Sequence, residues 1–229
     1  MDQTTLLTSA SNGVASRVAA FWPMKVFGIT GFIAVFLIVY FLLLRFPVFG
    51  VTLMPVTWLD RAIPFHPSAL LVYFSLWIYV SLPPSLLRSR RELVAHGLGA
   101  TVMAVIGLAV FFFWPTAVAP AATLGTTDTE ALAWLKQVDA AGNACPSLHV
   151  AFAVYAGLWL DRVLRDMQAV GMVRVLNVCW CTAIAYSTLA TKQHVVVDVL
   201  AGAILGWIAG SFSGRTLPLP NVLPAGSTN

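Results

Sequence analysis

Charged residues are scarce in this chain of 229 residues. Asp, Glu, Lys and Arg make up 10% of the sequence, whereas 59% of the residues are hydrophobic. A soluble domain typically carries about 25% charged residues, so this chain has too little charge to cover a water-facing surface. The apolar residues also form long runs, as in proteins that span membranes. The composition excludes an ordinary soluble domain and predicts one polytopic membrane domain.

Acidic residues are the rarest of the charged groups, with nine in the whole chain. Within the predicted spans only Asp161 and Asp198 are acidic, and no pair has the DxxD spacing of magnesium-dependent lipid enzymes. Magnesium sites are built mainly from carboxylates. We therefore expect no metal ion, and the sequence indicates no other cofactor.

Six apolar runs approach the length of about 20 residues that a helix needs to cross the hydrocarbon. Backbone groups in lipid must pair with one another, so helices are the default. The predicted fold class is all-α, a polytopic membrane protein with six transmembrane helices. The membrane domain would cover residues 1–213, and the Pro- and Gly-containing stretch 214–229 would be a disordered cytoplasmic tail. The runs are residues 24–44, 69–87, 93–114, 147–164, 171–190 and 195–213.

The Lys and Arg residues fall unevenly on the two sides of the predicted bundle. Loops that retain Lys and Arg stay in the cytoplasm. We therefore predict a bacterial inner-membrane protein with both termini cytoplasmic and with its site facing the periplasm. Membrane orientation also accounts for the net charge of +4 without a nucleic-acid partner. The cytoplasmic set is Arg17, Lys25, Arg88, Arg90, Arg91, Arg162, Arg165, Arg174 and Arg215; the outward set is Arg45, Arg61, Lys136 and Lys192.

The longest outward connection, residues 115–146, contains a short amphipathic pattern. A capping-box pair precedes an apolar stripe and a terminating glycine, which predicts a short interfacial helix. An ordered connector and a lid over a site are both consistent with such a helix. The pattern consists of Thr127, Glu130, Leu132, Leu135, Val138 and Gly142.

The sequence from Ser187 to Asp198, which leads into the sixth run, contains a histidine and a carboxylate with helical spacing. His194 and Asp198 are four residues apart, so on a helix they share one face within contact distance. A carboxylate at the bilayer centre costs about 2.5–3.5 kcal/mol on insertion scales, and less near the interface. An Asp behind a His fixes the tautomer and stabilises the imidazolium. This pair therefore predicts a nucleophile or a base.

A second polar cluster, residues 143–149, precedes the fourth run. Pro146 suits the first turn of a helix, where free N–H groups and the helix dipole form an anion site. Ser147 adds a hydroxyl, and His149 can donate or accept a proton. Each cluster alone is also typical of polar residues at a helix end. Both lie on the outward side by the charge count, and with Lys192 they predict a phosphate pocket that contains a proton donor.

At these residues the chain resembles the type-2 phosphatidic acid phosphatase superfamily, which comprises six-span lipid phosphatases and phosphotransferases with soluble haloperoxidase relatives. The second family motif, Pro-Ser-x-His, is present at residues 146–149. The third motif is Ser-Arg, five residues, His, three residues and Asp. It occurs at residues 187–198 with Thr188 in place of Arg.

The resemblance implies a role for each of these side chains. His194 would attack phosphorus and form a phospho-histidine, Asp198 would orient His194, and His149 would protonate the leaving oxygen. The substrate would be a lipid phosphate bound among membrane lipids. The candidate phosphate-binding residues are Ser147, Ser187, Lys192 and Arg61.

The sequence departs from the family in its cations. The first motif, a Lys followed after six residues by Arg-Pro, should lie near the end of the third run, but residues 111–120 contain no cation. Lys192 is the best substitute, and Arg61 either reaches the site or pairs with Asp60. The degenerate first motif resembles a branch that includes inositol phosphorylceramide synthase-like proteins.

Three functions remain open from the sequence. The first is metal-independent hydrolysis of a lipid phosphate at the outer face, and the second is head-group phosphotransfer to a lipid alcohol. The third is a non-catalytic lipid-phosphate binding or carrier protein. The missing cations favour the third function. The predicted pair of His194 and Asp198 speaks against it, because binding alone does not require an oriented nucleophile.

Overall fold

The structure is a computed structural model that describes residues 13–119 and 142–215. It has a helix at each of the six predicted runs, which confirms the all-α polytopic fold class. The proposed interfacial helix and the tail beyond residue 215 lie outside the described residues. The main helices are α1 (Trp22–Arg45), α2 (Trp58–Ala62), α3 (Ala69–Phe74), α4 (Leu76–Leu86), α5 (Arg90–Phe113), α6 (Leu148–Asp166), α7 (Gly171–Ala190) and α8 (Val196–Arg215).

Two of the six predicted runs have features of their own. The second run contains two consecutive helices, α3 and α4, which meet at Ser75 and together form one candidate span. Five of the six runs qualify as membrane spans by length and hydropathy. The exception is α6, whose last six residues include four charged ones. Eleven of its 19 residues are buried. Because the other helices surround α6, it does not need the lipid-facing apolar surface that hydropathy detects.

Helix α8 packs against α6 through a row of glycines spaced four residues apart. A Cβ atom at Gly202 would lie 2.2 Å from the carbonyl oxygen of Ser147, and one at Gly206 would lie 2.3 Å from that of Ala151. The row continues through Gly210 and Gly214. Small residues let helix backbones approach closely in membranes, where association depends on packing. The glycine row therefore fixes the contact between α6 and α8.

A small parallel sheet anchors the segment that leads into α6. Strand β1 (Thr52–Met54) pairs with β2 (Thr116–Val118). The Thr116 hydroxyl accepts a hydrogen bond from the Cys145 backbone N–H at 2.8 Å, and the Thr116 carbonyl accepts one from the Ala144 N–H at 3.2 Å. The sheet thus holds the backbone immediately before His149 in a defined position.

The opposite end of the bundle carries a set of ion pairs. Arg17 contacts Asp166 at 2.5 Å, and Asp161 contacts both Arg165 and Arg174 at 2.5 and 2.8 Å. Asp161 and Asp166 lie near the C-terminal end of α6, whereas His149 lies in its first turn. The charged groups that set the predicted cytoplasmic side therefore lie a full helix length from the histidines.

We predict that Gly202→Ala destabilises the protein. The added methyl group meets backbone rather than a flexible side chain, and overpacking of this kind costs about 1–3 kcal/mol. Thermal unfolding in detergent should show a lower Tm than wild type. Gly31→Ala is the matched control, because its Cβ atom would have no neighbour within 4 Å. An unchanged Tm for Gly202→Ala would contradict the close contact.

Candidate active site

The starts of α6 and α8 are joined directly by a backbone hydrogen bond. The Ser147 N–H donates to the Asp198 carbonyl at 3.0 Å. Ser147 is the N-cap of α6, and its hydroxyl accepts from the Val150 N–H at 3.3 Å. The expectation that Pro146 occupies the first helical turn is therefore wrong, because the helix begins after the capping serine. The two motif segments meet through main-chain contacts.

Asp198 is fully buried at the start of α8, where it faces His194. Its Oδ2 atom accepts from the Val195 N–H at 3.0 Å and lies 3.6 Å from the His194 Nδ1 atom. That separation is slightly longer than a hydrogen bond. Neither His194 Nδ1 nor Asp198 Oδ1 has a hydrogen-bond partner among the described residues. The carboxylate therefore caps α8 and is poised behind the histidine at the same time.

Cys145 lies beside Asp198 in the segment before α6. Burial raises the pKa of the Cys145 thiol to about 11, and the neighbouring carboxylate adds to the shift. The thiol is therefore protonated at neutral pH and carries no charge beside Asp198.

His149 is held by Tyr73, a residue of α3 that the motif analysis did not identify. The two rings stack with centroids 4.0 Å apart and planes 15° apart. The His149 Nε2 atom lies 3.3 Å from the Tyr73 carbonyl oxygen. Because a carbonyl oxygen only accepts, this contact requires a hydrogen on Nε2. Nδ1 is then the nitrogen that is left to exchange a proton with a substrate.

Both histidines line one cavity of about 200 Å³ between α1, α3, α4 and α6. Asn143 also lines it, with its side-chain N–H₂ donating to the Tyr40 carbonyl at 3.1 Å. Most of the remaining wall is aromatic or aliphatic, and the lining residues, all within the described part, include no Lys or Arg. The cavity thus combines a polar end at the histidines with apolar walls.

The predicted phosphate-binding hydroxyl of Ser187 is bonded within α7 and does not line the cavity. Its hydroxyl donates to the Ile184 carbonyl at 2.7 Å, and the Thr188 hydroxyl donates to Ala185 at 2.8 Å. The Thr188 carbonyl accepts the His194 N–H at 3.2 Å. In this structure these two residues support the turn that carries His194.

The ammonium group of Lys192 is bonded to backbone. It donates to the carbonyls of Asp60, at 2.8 Å, and of Ile63. Lys192 has a φ of 60°, and its side chain is buried. Burial lowers its pKa, and the nearby Asp60 opposes this shift. Lys192 therefore links the turn before α8 to α2.

Asp60 completes this link from the other side. Its Oδ1 atom accepts from the Val196 N–H at 2.8 Å, and its Oδ2 atom accepts from the Thr57 hydroxyl and N–H. Arg61, the candidate cation next to it, is exposed. Among the described residues Arg61 forms no ion pair with Asp60. Asp60 instead caps the helix that carries Asp198.

The bundle, with its candidate spans and with polar side chains gathered at one end, is that of a polytopic membrane protein. The chain belongs to the PAP2 superfamily, whose sequence model matches residues 93–218. The match runs from the first turn of α5 past the end of α8 and includes both histidines and Asp198. Members of this superfamily are phosphatases and phosphotransferases that act on phosphate esters. Membership therefore supports the prediction that this chain is an enzyme. No curated protein and no solved structure matches the chain.

We predict that Lys192→Met lowers stability in the absence of any phosphate compound. The change leaves two carbonyls without their donor, and a buried unsatisfied group costs about 1–3 kcal/mol. Thermal unfolding in phosphate-free detergent should show a reduced Tm, with Arg61→Met as the exposed-cation control. A Lys192 that served only to bind substrate phosphate would give an unchanged Tm here and a weaker response to added phosphate.

Proposed function

We propose that the protein is a metal-independent lipid phosphatase that works through a phospho-histidine on His194. The observation that supports this most is that His149 and His194 line one cavity, with Asp198 buried behind His194. An oriented imidazole facing a second histidine is the arrangement needed for a nucleophile and a proton donor. The apolar walls suit a substrate whose phosphate is attached to a hydrocarbon chain.

In the first step His194 attacks the phosphorus atom. Its Nδ1 atom faces Asp198, so Nε2 is the nitrogen available for attack, with the Nδ1 hydrogen directed at the carboxylate. Catalytic hydrogen bonds are often long before substrate binds, and the 3.6 Å separation needs to shorten only slightly. A P–N bond forms, the P–O bond to the lipid breaks, and the developing imidazolium is stabilised by Asp198.

His149 completes the proton balance. A protonated His149 gives its Nδ1 proton to the leaving lipid oxygen, while its Nε2–H remains on the Tyr73 carbonyl. In the second step a water molecule attacks phosphorus, the P–N bond breaks, and His149 takes the proton from water. Inorganic phosphate is released, and both histidines return to their starting state.

Phosphoryl transfer depends on positioning and on stabilising negative charge. In the part of the chain that the structure describes, the cavity wall supplies no cation, so the N–H groups at the start of α6 would bind the phosphate oxygens. Ser147 lies at this helix start, and Arg61 is an exposed candidate on the neighbouring α2. We place the site at the periplasmic face because the clustered Arg and Lys residues lie at the other end of the bundle.

The apolar character of the cavity also favours a second candidate, head-group phosphotransfer. A lipid alcohol can approach a phospho-histidine along the same walls that bind the substrate. The first step would be identical, and the alcohol oxygen rather than water would form the new bond to phosphorus. The two candidates differ only in the acceptor.

The first expected outcome concerns His194. Purified wild-type protein with EDTA present should release phosphate from at least one member of a panel of lipid phosphates. His194→Ala should release none, because the attacking nitrogen is gone. Labelling with a ³²P lipid phosphate and quenching in alkaline detergent should trap a phosphoprotein in wild type only, and acid treatment should then release its label.

The controls separate the alternatives. Phosphate release by His194→Ala at the wild-type rate would contradict the mechanism. Release by neither protein, but transfer when inositol phospholipid and ceramide are supplied, would establish the phosphotransferase. Binding of lipid phosphate without release or transfer would identify a binding protein.

His149→Ala should slow the first step in a manner that depends on the leaving group. General acid catalysis typically contributes about 10²–10⁴-fold, and protonation matters less when the leaving oxygen is already a stable anion. A p-nitrophenyl phosphate lipid analogue should therefore lose much less rate than an alkyl phosphate lipid. Equal losses for both would argue against a proton-donor role.

A further inference from the structure

Asn143 lines the cavity beside the two histidines, but the mechanism described above gives it no role. Among the described residues of the cavity wall it has the one amide side chain, and it is only 4% exposed. A buried amide is costly unless its N–H and C=O groups have hydrogen-bond partners. A ligand that supplies a missing partner in the cavity is therefore bound favourably.

The backbone at Asn143 has a conformation that few side chains tolerate. Its φ is 49°, in the left-handed region, where Asn is one of the few residues other than glycine that occur readily. Both of its neighbours contact β2. Gly142 forms an antiparallel bridge with Ala117, and the Ala144 N–H donates to the Thr116 carbonyl at 3.2 Å. Main-chain contacts on either side therefore fix the position from which the Asn143 side chain extends.

The amide of Asn143 has one bonded N–H and one that is available. Its Nδ2 atom donates to the Tyr40 carbonyl at 3.1 Å. Because a carbonyl oxygen only accepts, this contact identifies the end of the amide that carries the two hydrogens. No second acceptor contacts Nδ2 among the described residues. Tyr40 lines the same cavity, so the amide nitrogen lies at the cavity wall.

The proposed reaction needs donors of this kind. Phosphoryl transfer places negative charge on the nonbridging oxygens of the phosphate, and the described wall of the cavity has no Lys or Arg. At the start of α6 the Ser147 N–H is already bonded to the Asp198 carbonyl, and the Val150 N–H to the Ser147 hydroxyl. A neutral donor that is held in place before the substrate binds stabilises developing charge without having to reorganise.

We propose that Asn143 is a catalytic residue that donates its second amide N–H to a nonbridging oxygen of the substrate phosphate. This proposal rests on the proposed function for the identity of the ligand as a phosphate ester. The amide exchanges no proton and forms no covalent bond. It binds the oxygen while His194 attacks phosphorus, and it binds more strongly as negative charge develops there.

Two substitutions test the amide while leaving the backbone in its left-handed conformation. Asn143→Gly removes the side chain, and glycine adopts a positive φ at no steric cost. Asn143→Asp keeps the size of the side chain and replaces the donor with a carboxylate, which also tolerates this region. Gln168→Gly is the matched control, because Gln168 has a φ of 54° but is exposed and follows the opposite end of α6.

The kinetic result expected for Asn143→Gly is a large loss that does not depend on the leaving group. Loss of one such donor lowers kcat by about 10²–10³-fold, and the factor should be similar for an alkyl phosphate lipid and for its p-nitrophenyl analogue. The nonbridging oxygens are common to both substrates, so this pattern differs from that of a proton donor such as His149. Gln168→Gly should retain the wild-type rate. A lower Tm with an unchanged kcat in Asn143→Gly would overturn the proposal, since the amide would then only tie α1 to the segment before α6.

Binding of inorganic phosphate tests the donor without turnover. In the His194→Ala background, calorimetric titration in detergent should give a Kd that is about tenfold higher with Asn143→Gly, as expected for a lost hydrogen bond to a charged group. The Kd should rise further with Asn143→Asp, whose carboxylate repels phosphate, and should be unchanged with Gln168→Gly. These shifts would support the amide donor even if wild type released no phosphate from any lipid.

Two binding results would contradict the amide donor even if wild type were an active phosphatase. The first is an unchanged Kd with Asn143→Gly, because a rise with Asn143→Asp alone would report only the added charge. The second is an unchanged Kd with Asn143→Asp, because a carboxylate in contact with phosphate must weaken its binding. No phosphate binding to His194→Ala, together with no release by wild type, would overturn this proposal and the proposed function alike.

Discussion

The close contact between α6 and α8 is the constraint on which the rest of the site depends. Gly202 and Gly206 have no room for a Cβ atom, because the backbone of α6 occupies that space. Asp198 lies four residues before Gly202, on the same face of α8, so the contact that joins the helices also brings the carboxylate to Ser147. The Ser147 N–H then bonds to the Asp198 carbonyl. Because both helices are fixed at their starts, His149 and His194 reach the same cavity although their motifs lie far apart in the sequence.

A buried carboxylate in a membrane protein needs neighbours that hold its charge, and here these neighbours also support the chemistry. Asp198 accepts the Val195 N–H, while Asp60 accepts the Val196 N–H from the opposite side. Two acids therefore satisfy the free donors at the start of one helix, where its dipole stabilises negative charge. Lys192 ties α2 to the same turn. The result is a rigid base for His194 made mainly of backbone contacts, which explains how a short turn of ordinary residues can position the proposed nucleophile.

The sequence was sufficient for the fold class, because apolar runs of span length reflect the environment of each helix directly. It was not sufficient for α6, whose charged last turns and small buried residues reflect contact with protein rather than with lipid. The local motifs placed His149, His194 and Asp198 at helix starts, since capping and spacing are local properties. Asp60 and Tyr73 are more than 70 residues from the motif residues that they contact, and no local pattern signals such a pairing. The glycine row from Gly202 to Gly214 was visible in the sequence as a four-residue repeat, and its spacing from Asp198 could have identified the partner face.

Among the residues that the structure describes, the wall of the cavity beside the histidines contains no Lys or Arg, and this has a consequence for the kind of substrate that the site can hold. A phosphate bound by helix N–H groups and two histidines gains less from charge pairing than one bound by Lys and Arg. More of the binding energy must then come from the apolar part of the substrate. The apolar walls of the cavity beside the two histidines offer that contribution, since burial of hydrocarbon scales with the area removed from the surroundings and with close contact. A site that is poor in cations and a cavity with apolar walls are in this sense complementary features: the first lowers the affinity for any small phosphate, and the second restores it only for a phosphate that is attached to hydrocarbon.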